Sequence, residues 1–93
     1  MKLDDVKKLH QKKYRSQFGY YLVEGEHLIQ ELQRSPLIAL PVTVYVTDTW
    51  QSKGVTLDDR FEVVSVTERQ MASLSDTKTP QGVIARVPLP VNN

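Results

Sequence analysis

The stretch Gly19-Tyr20-Tyr21-Leu22-Val23-Glu24-Gly25-Glu26-His27-Leu28-Ile29-Gln30-Glu31-Leu32 decides the fold. Its first half, residues 20–23, is an unbroken apolar and aromatic run, short enough for a strand buried on both faces. Its second half carries Leu28, Ile29 and Leu32 three and four apart, which makes one apolar stripe on a helix. Gly25 stands between them, where the backbone has to turn from strand to helix. A strand feeding a helix through a glycine turn is half of a β-α-β unit.

The chain on either side continues the alternation. Upstream, residues 3–13 read as one helix, with Leu3, Val6 and Leu9 as a narrow apolar stripe and Asp4 and Asp5 in the first turn, where they suit the helix dipole. Downstream, Ser35-Pro36 closes the second helix, because the residue before proline avoids the helical region. The proline-bracketed run 36–41 reads as a buried connector. Val42-Thr43-Val44-Tyr45-Val46 is a second strand by its β-branched and aromatic content. A helical turn follows over 47–54, with Trp50 as a packing anchor more readily than a ligand platform, and 55–60 is a polar connector. Phe61-Glu62-Val63-Val64-Ser65-Val66 is a third strand. Thr67 and Gln70 then form a capping box, with Val66 and Met71 placed as its hydrophobic staple. The helix that starts there turns Met71 and Leu74 to the core. Thr77-Lys78-Thr79-Pro80-Gln81-Gly82 is a loop, Val83-Ile84-Ala85-Arg86-Val87 a last strand, and 88–93, which opens Pro88-Leu89-Pro90, a linker that does not continue a sheet ladder. This order predicts a small α/β sandwich of two or three layers around a four-stranded, largely parallel or mixed sheet.

Ninety-three residues make one small domain. The absence of cysteine excludes disulfides and thiolate metal sites and suits a reducing cytoplasm. His10 and His27 show no metal-ligand spacing. Met1-Lys2-Leu3-Asp4-Asp5 has no apolar core of a signal peptide, and no run approaches a membrane span. Net charge is only +1, but residues 1–15 hold six of the twelve Lys and Arg against two of the eleven carboxylates. That segregation is the footprint expected for a polyanion partner. Lys12, Lys13 and Arg15 are its densest part. They read equally as dipole-complementing end charges and as phosphate contacts.

Catalytic chemistry is not visible. The four glycines are scattered and make no phosphate-cradling loop, and no serine sits in a nucleophile elbow. Glu24 and Glu26 flank a helix start, where they stabilise exposed amides more simply than they would act as an acid/base pair, and where they would repel a phosphate. His27 is a surface histidine or a ligand contact near the same turn. Gln81 can donate and accept hydrogen bonds, as base-edge or ribose recognition requires, or can bond the local backbone.

Lys13-Tyr14-Arg15, then Gly19-Tyr20-Tyr21-Leu22-Val23-Glu24-Gly25 and 28–32, resemble the opening of the substrate-binding domain of SpoU/TrmH-type RNA 2′-O-ribose methyltransferases. Residues 66–75 and Thr79-Pro80-Gln81-Gly82-Val83-Ile84-Ala85 resemble that domain's closing segment. The resemblance runs from about residue 6 to 87, the middle matching only in pattern. It implies an α/β/α sandwich similar to the ribosomal proteins that bind RNA kink-turns. It implies a substrate-recognition role: residues 1–87 hold structured RNA (rRNA or tRNA) for a catalytic domain expected beyond the 88–93 linker. S-adenosylmethionine and methyl transfer then belong to that further domain, through which the parent enzyme is expected to be a homodimer, and this segment itself carries no cofactor, metal or catalytic residue. The RNA-binding residues implied are Lys12, Lys13, Arg15, Gly25, His27, Lys78, Thr79, Pro80 and Gln81. Two alternatives stand beside this reading: a protein-interaction or interdomain packing module, and a free-standing ribosomal-type RNA-binding protein.

Overall fold

Five consecutive β-branched or aromatic residues make β2 (Val42–Val46), and all five are buried. Such a strand needs a neighbour on each side and a layer on each face. It has β4 (Val83–Pro88) antiparallel on one side and β3 (Phe61–Ser65) parallel on the other. β1 (Tyr20–Glu24) pairs antiparallel with the far side of β4, giving a mixed four-stranded sheet in the order β1-β4-β2-β3. β1 and β2 therefore run parallel with β4 inserted between them, a split β-α-β unit. The computed structural model describes residues 2–34, 41–75 and 81–89, so the proline-bracketed connector lies outside the described residues except for Pro41.

Alternation along the strands builds two cores. Val42, Val44, Val46, Val83, Ala85 and Val87 face one side, where Ile29 of α3 (Glu26–Arg34) and Trp50 of α4 (Asp48–Gln51) cover them. Tyr45 and Ile84 face the other, against Val6 of α1 (Leu3–Lys8) and Met71 and Leu74 of α5 (Glu68–Leu74). The result is the expected α/β/α sandwich.

Several expectations are corrected. β1 is half-buried at every position: Tyr21 and Val23 pack on the first core and Leu22 on the second, but as an edge strand it has no neighbouring strand on its outer side. On α3, Ile29 is 1% exposed but Leu28 is 49% exposed; a helix lying over an edge strand covers only a narrow stripe. The connector after α4 is less polar than its composition suggests, since Val55 and Leu57 pack on the first core. There the side chain of Arg60 bonds the Asp58 carboxylate and holds it down at about 2.

The N-terminal helix is two helices. α1 ends at Lys8, Gln11 is extended, and α2 (Lys12–Phe18) starts anew. Neither glycine nor proline marks the break. Three contacts hold it: Leu9 is buried, the His10 Nε2–H donates to Leu74 O at 2.6 Å, and Arg15 Nη1 bonds both Leu9 O and His10 O.

The last strand runs past its expected end. Tyr20 pairs with Pro88, and the Leu89 N–H donates to Gly19 O at 2.9 Å. Successive N–H groups in a strand point to opposite sides. The missing N–H of Pro88 therefore faces the β2 side, where pairing has already stopped at Thr43↔Arg86.

The capping box is present in full: Thr67 Oγ1 accepts from Gln70 N–H and Gln70 Oε1 from Thr67 N–H, and Val66 and Met71 share the second core. Thr67→Ala is expected to cost about 1 kcal/mol, read as a midpoint shift of roughly 4–8 °C in thermal unfolding. An unchanged midpoint would show that α5 is held by its buried face alone.

Candidate nucleic-acid interface

At the end of β1 the chain turns through Gly25 at φ +101°, a conformation side chains rarely adopt. The turn opens α3, whose first amides have no partner within the helix. Gln81 supplies one: its Oε1 accepts from Glu26 N–H at 3.0 Å. A Cβ on Gly25 would lie 3.3 Å from that same oxygen, so the glycine also makes room for the glutamine. Two loops 55 residues apart are thereby joined at one edge of the sheet. Gly25 and Gln81, both named from sequence, are brought together, and the Gln81 carbonyl oxygen is engaged with the backbone. His27 is exposed and lies 3.3 Å from Glu31 on its own helix. Lys78, Thr79 and Pro80 lie outside the described residues.

The carboxylates here are tied or placed against anions. Glu24 accepts from the Ser75 hydroxyl, and Glu26 sits in the first turn of α3. Neither favours a phosphate at this helix terminus.

The positive surface lies beside it, on α1 and α2. Lys12 and Lys13 are exposed. Tyr14 is half-buried, with the Lys13 and Lys8 ammonium groups 5.4 and 5.5 Å from its ring centroid. Phe18 stacks on the same ring at 6.1 Å. A cleft of about 490 Å³ adjoins this group, lined by Asp4, Lys7, Lys8, His10, Gln11 and Ser73 and reaching Ser75. Through the Ser75–Glu24 bond it borders the Gly25 turn. Lys8 and Tyr14 were missed as site residues by sequence reasoning; the interleaving of lysine and tyrosine at 12–14 was the available signal.

Arg15 is corrected. Its guanidinium serves the carbonyls of Leu9 and His10 at 3.1 and 2.9 Å, which fixes the angle between α1 and α2. Arg15→Ala is expected to cost about 2 kcal/mol in urea unfolding, because two carbonyls lose a charged donor. Loss of RNA affinity in the folded protein with no loss of stability would show that it acts as a direct contact instead.

A second cleft, about 560 Å³, lies on the other half of that sheet face. There Arg86 Nη2 donates to Thr43 Oγ1 at 2.9 Å, the guanidinium lies 4.7 Å from the Tyr20 ring centroid, and Arg86 Nε is buried without a partner. Burial raises the Tyr45 phenol above its ordinary range, against the opposing charge of Arg86. Lys2 and Arg86 share this cleft with Asp4 and Glu62, so two carboxylates face two cations here, whereas the lysine cleft sets Asp4 against Lys7 and Lys8. Among the described residues no cluster of histidine and carboxylates is placed to hold a metal ion, and no helix is long and apolar enough to cross a membrane.

A family model described as the MRM3-like substrate binding domain matches residues 2–85. The 23S rRNA (guanosine(2553)-2′-O)-methyltransferase RlmP of Bacillus subtilis is 33% identical over 89 residues, which is 96% of this chain and 35% of that protein. The structure of a protein assigned to the TrmH family of RNA methyltransferases from Porphyromonas gingivalis superposes with a TM-score of 0.75 at 25% identity, covering 98% of this chain and 35% of the other. An AdoMet-bound rRNA methyltransferase from Sinorhizobium meliloti shares the fold, with a TM-score of 0.68 at 21% identity over 97% of this chain and 34% of its own. The chain thus spans about a third of the length of each of these proteins.

Proposed function

The chain belongs to the MRM3-like substrate binding domain family, and from that premise we propose that it is the RNA-holding part of a ribosomal RNA 2′-O-ribose methyltransferase of the SpoU/TrmH type. The observation that carries the proposal is the lysine group around Tyr14. Lys8 and Lys13 come from two helices to one ring, with exposed Lys12 next to Lys13 on α2, beside a cleft lined by hydrogen-bonding side chains. Positive charge next to an aromatic ring is the pairing that phosphates and unstacked bases require. Ribosomal RNA is preferred to transfer RNA because the Bacillus relative acts on 23S rRNA.

In this reading the chain binds and positions RNA, and Gly25 with Gln81 fixes the edge along which the RNA lies. AdoMet, which the Sinorhizobium relative binds, belongs to the portion of such proteins that this chain does not span. Methyl transfer is assigned to no residue here. Dimerisation through that further portion and a cytoplasmic location are parts of the same proposal.

A protein-packing role is the less favoured reading. The large hydrophobic side chains exposed among the described residues are Leu28 and Val63, on opposite edges of the sheet, and scattered apolar residues do not make a docking patch. Titrating labelled ribosomal RNA fragments with the 93-residue chain at low salt tests the proposal. Saturable binding is expected, and the absence of binding would refute it.

A further inference from the structure

We infer that Tyr14 is a stacking platform for a single unpaired RNA base, and hence that the RNA this surface takes is single-stranded at the point of contact. The inference rests on the RNA-binding reading and goes beyond it, because lysines alone would serve a duplex equally well.

Tyr14 lies on α2 with two ammonium groups at 5.4 and 5.5 Å from its ring centroid and Phe18 stacked at 6.1 Å with an interplanar angle of 18°. Cations within about 6 Å of a ring centroid are drawn to its face. A flat base offers the ring a larger contact than an ammonium does, and the base brings its own phosphates. On binding, the base takes the ring face and the two ammonium groups move to the flanking phosphates, so no positive charge loses its partner. Phe18 backs the tyrosine and limits its rotation.

The platform is also held in place. Arg15 locks the α1–α2 angle through Leu9 O and His10 O, and His10 ties the junction to α5 through Leu74 O. Tyr14 and Lys8 are thus presented at a fixed spacing before RNA arrives. A preformed site of this kind loses less order on binding. Arg15 therefore acts as a positioning residue and is not itself a contact. Lys8 also lines the adjoining cleft with Gln11 and Ser73, which offer donors and acceptors to the next nucleotide.

The test uses fluorescein-labelled RNA of mixed sequence, as a single strand and annealed to its complement, with anisotropy as the readout. The wild-type chain should bind the single strand more tightly than the duplex. Tyr14→Phe keeps the π-face and should stay within about twofold of wild type. Tyr14→Leu keeps apolar bulk against Phe18 but removes the face, and should lose roughly tenfold or more on the single strand, with little change on the duplex. Should the leucine variant misfold, single abasic substitutions walked along the strand against wild-type protein give the same reading, one position producing the loss. Equal affinity of Tyr14→Leu and wild type for the single strand, or no sensitive abasic position, would overturn the platform while leaving RNA binding intact. Failure of the wild-type chain to bind either RNA would overturn both.

Discussion

Gly82→Ala is expected to destabilise the domain by about 3 kcal/mol, a large part of what a domain of this size has in reserve. Gly82 has φ +93° and is buried. Holding an L-residue at such a backbone angle costs roughly 1–3 kcal/mol by itself. Space adds to the penalty. An added Cβ would lie 2.7 Å from Thr47 Oγ1 and 3.1 Å from Trp50 Cβ. Neither neighbour can yield easily. Thr47 Oγ1 caps α4 by accepting from Trp50 N–H, and its own N–H donates to Gly82 O at 3.0 Å. Trp50 is 2% exposed and anchors the first core. Gly54→Ala is the control: its φ is +74° but nothing lies within 4 Å of an added Cβ, so only the backbone term of about 1–2 kcal/mol remains. Thermal unfolding should separate the two, with a drop of roughly 10–20 °C for Gly82→Ala. Equal shifts for both variants would show that the Thr47–Trp50 corner relaxes freely.

The second large effect concerns RNA. Replacing Lys8, Lys12 and Lys13 together by alanine is expected to weaken RNA binding by roughly a hundredfold at low salt. Each lysine that neutralises a phosphate releases counterions, and each contributes about 0.7 to the salt slope on a single strand. Removing all three should flatten that slope by about 2. The folded state should tolerate the change. Lys12 and Lys13 are exposed, and the 3.8 Å pair of Lys8 with Asp5 lies at the surface, a contact worth little to stability, while the contacts of Lys8 and Lys13 with the Tyr14 ring add about 0.5–1 kcal/mol each at such a site. An affinity and slope like those of wild type would move the interface elsewhere, with the mixed-charge cleft around Arg86 the next place to look.

What the sequence disclosed, and what it did not, follows from the range of the interactions. β2, the Gly25 turn and the Thr67–Gln70 capping box depend on neighbours a few residues away, and each was legible. The insertion of β4 between β1 and β2 depends on pairing between residues 20–24 and 84–88, which local pattern does not carry. The break after Lys8 was hidden for a similar reason. It is set by Arg15 and by Leu74, not by a helix-breaking residue. That break decides the site as well. In one continuous helix Lys8 and Tyr14, six residues apart, would be roughly 240° apart around the axis. The bend brings them together. The bonds of Arg15 to Leu9 O and His10 O were hidden on the same point, since charge is visible in a sequence and its hydrogen-bond partners are not. The resemblance to SpoU/TrmH substrate-binding domains named Gly25 and Gln81 separately, whereas their contact, and the bond that Gln81 accepts from Glu26 N–H, became visible only in three dimensions.

The central claim is that this surface binds RNA through its lysines. The most direct measurement is the affinity of the wild-type 93-residue chain for a single-stranded ribosomal RNA fragment across a series of monovalent salt concentrations. The account predicts tight binding at low salt and a linear fall of log K against log salt with a slope of roughly −2. Binding that is absent at low salt, or present and indifferent to salt, would contradict it.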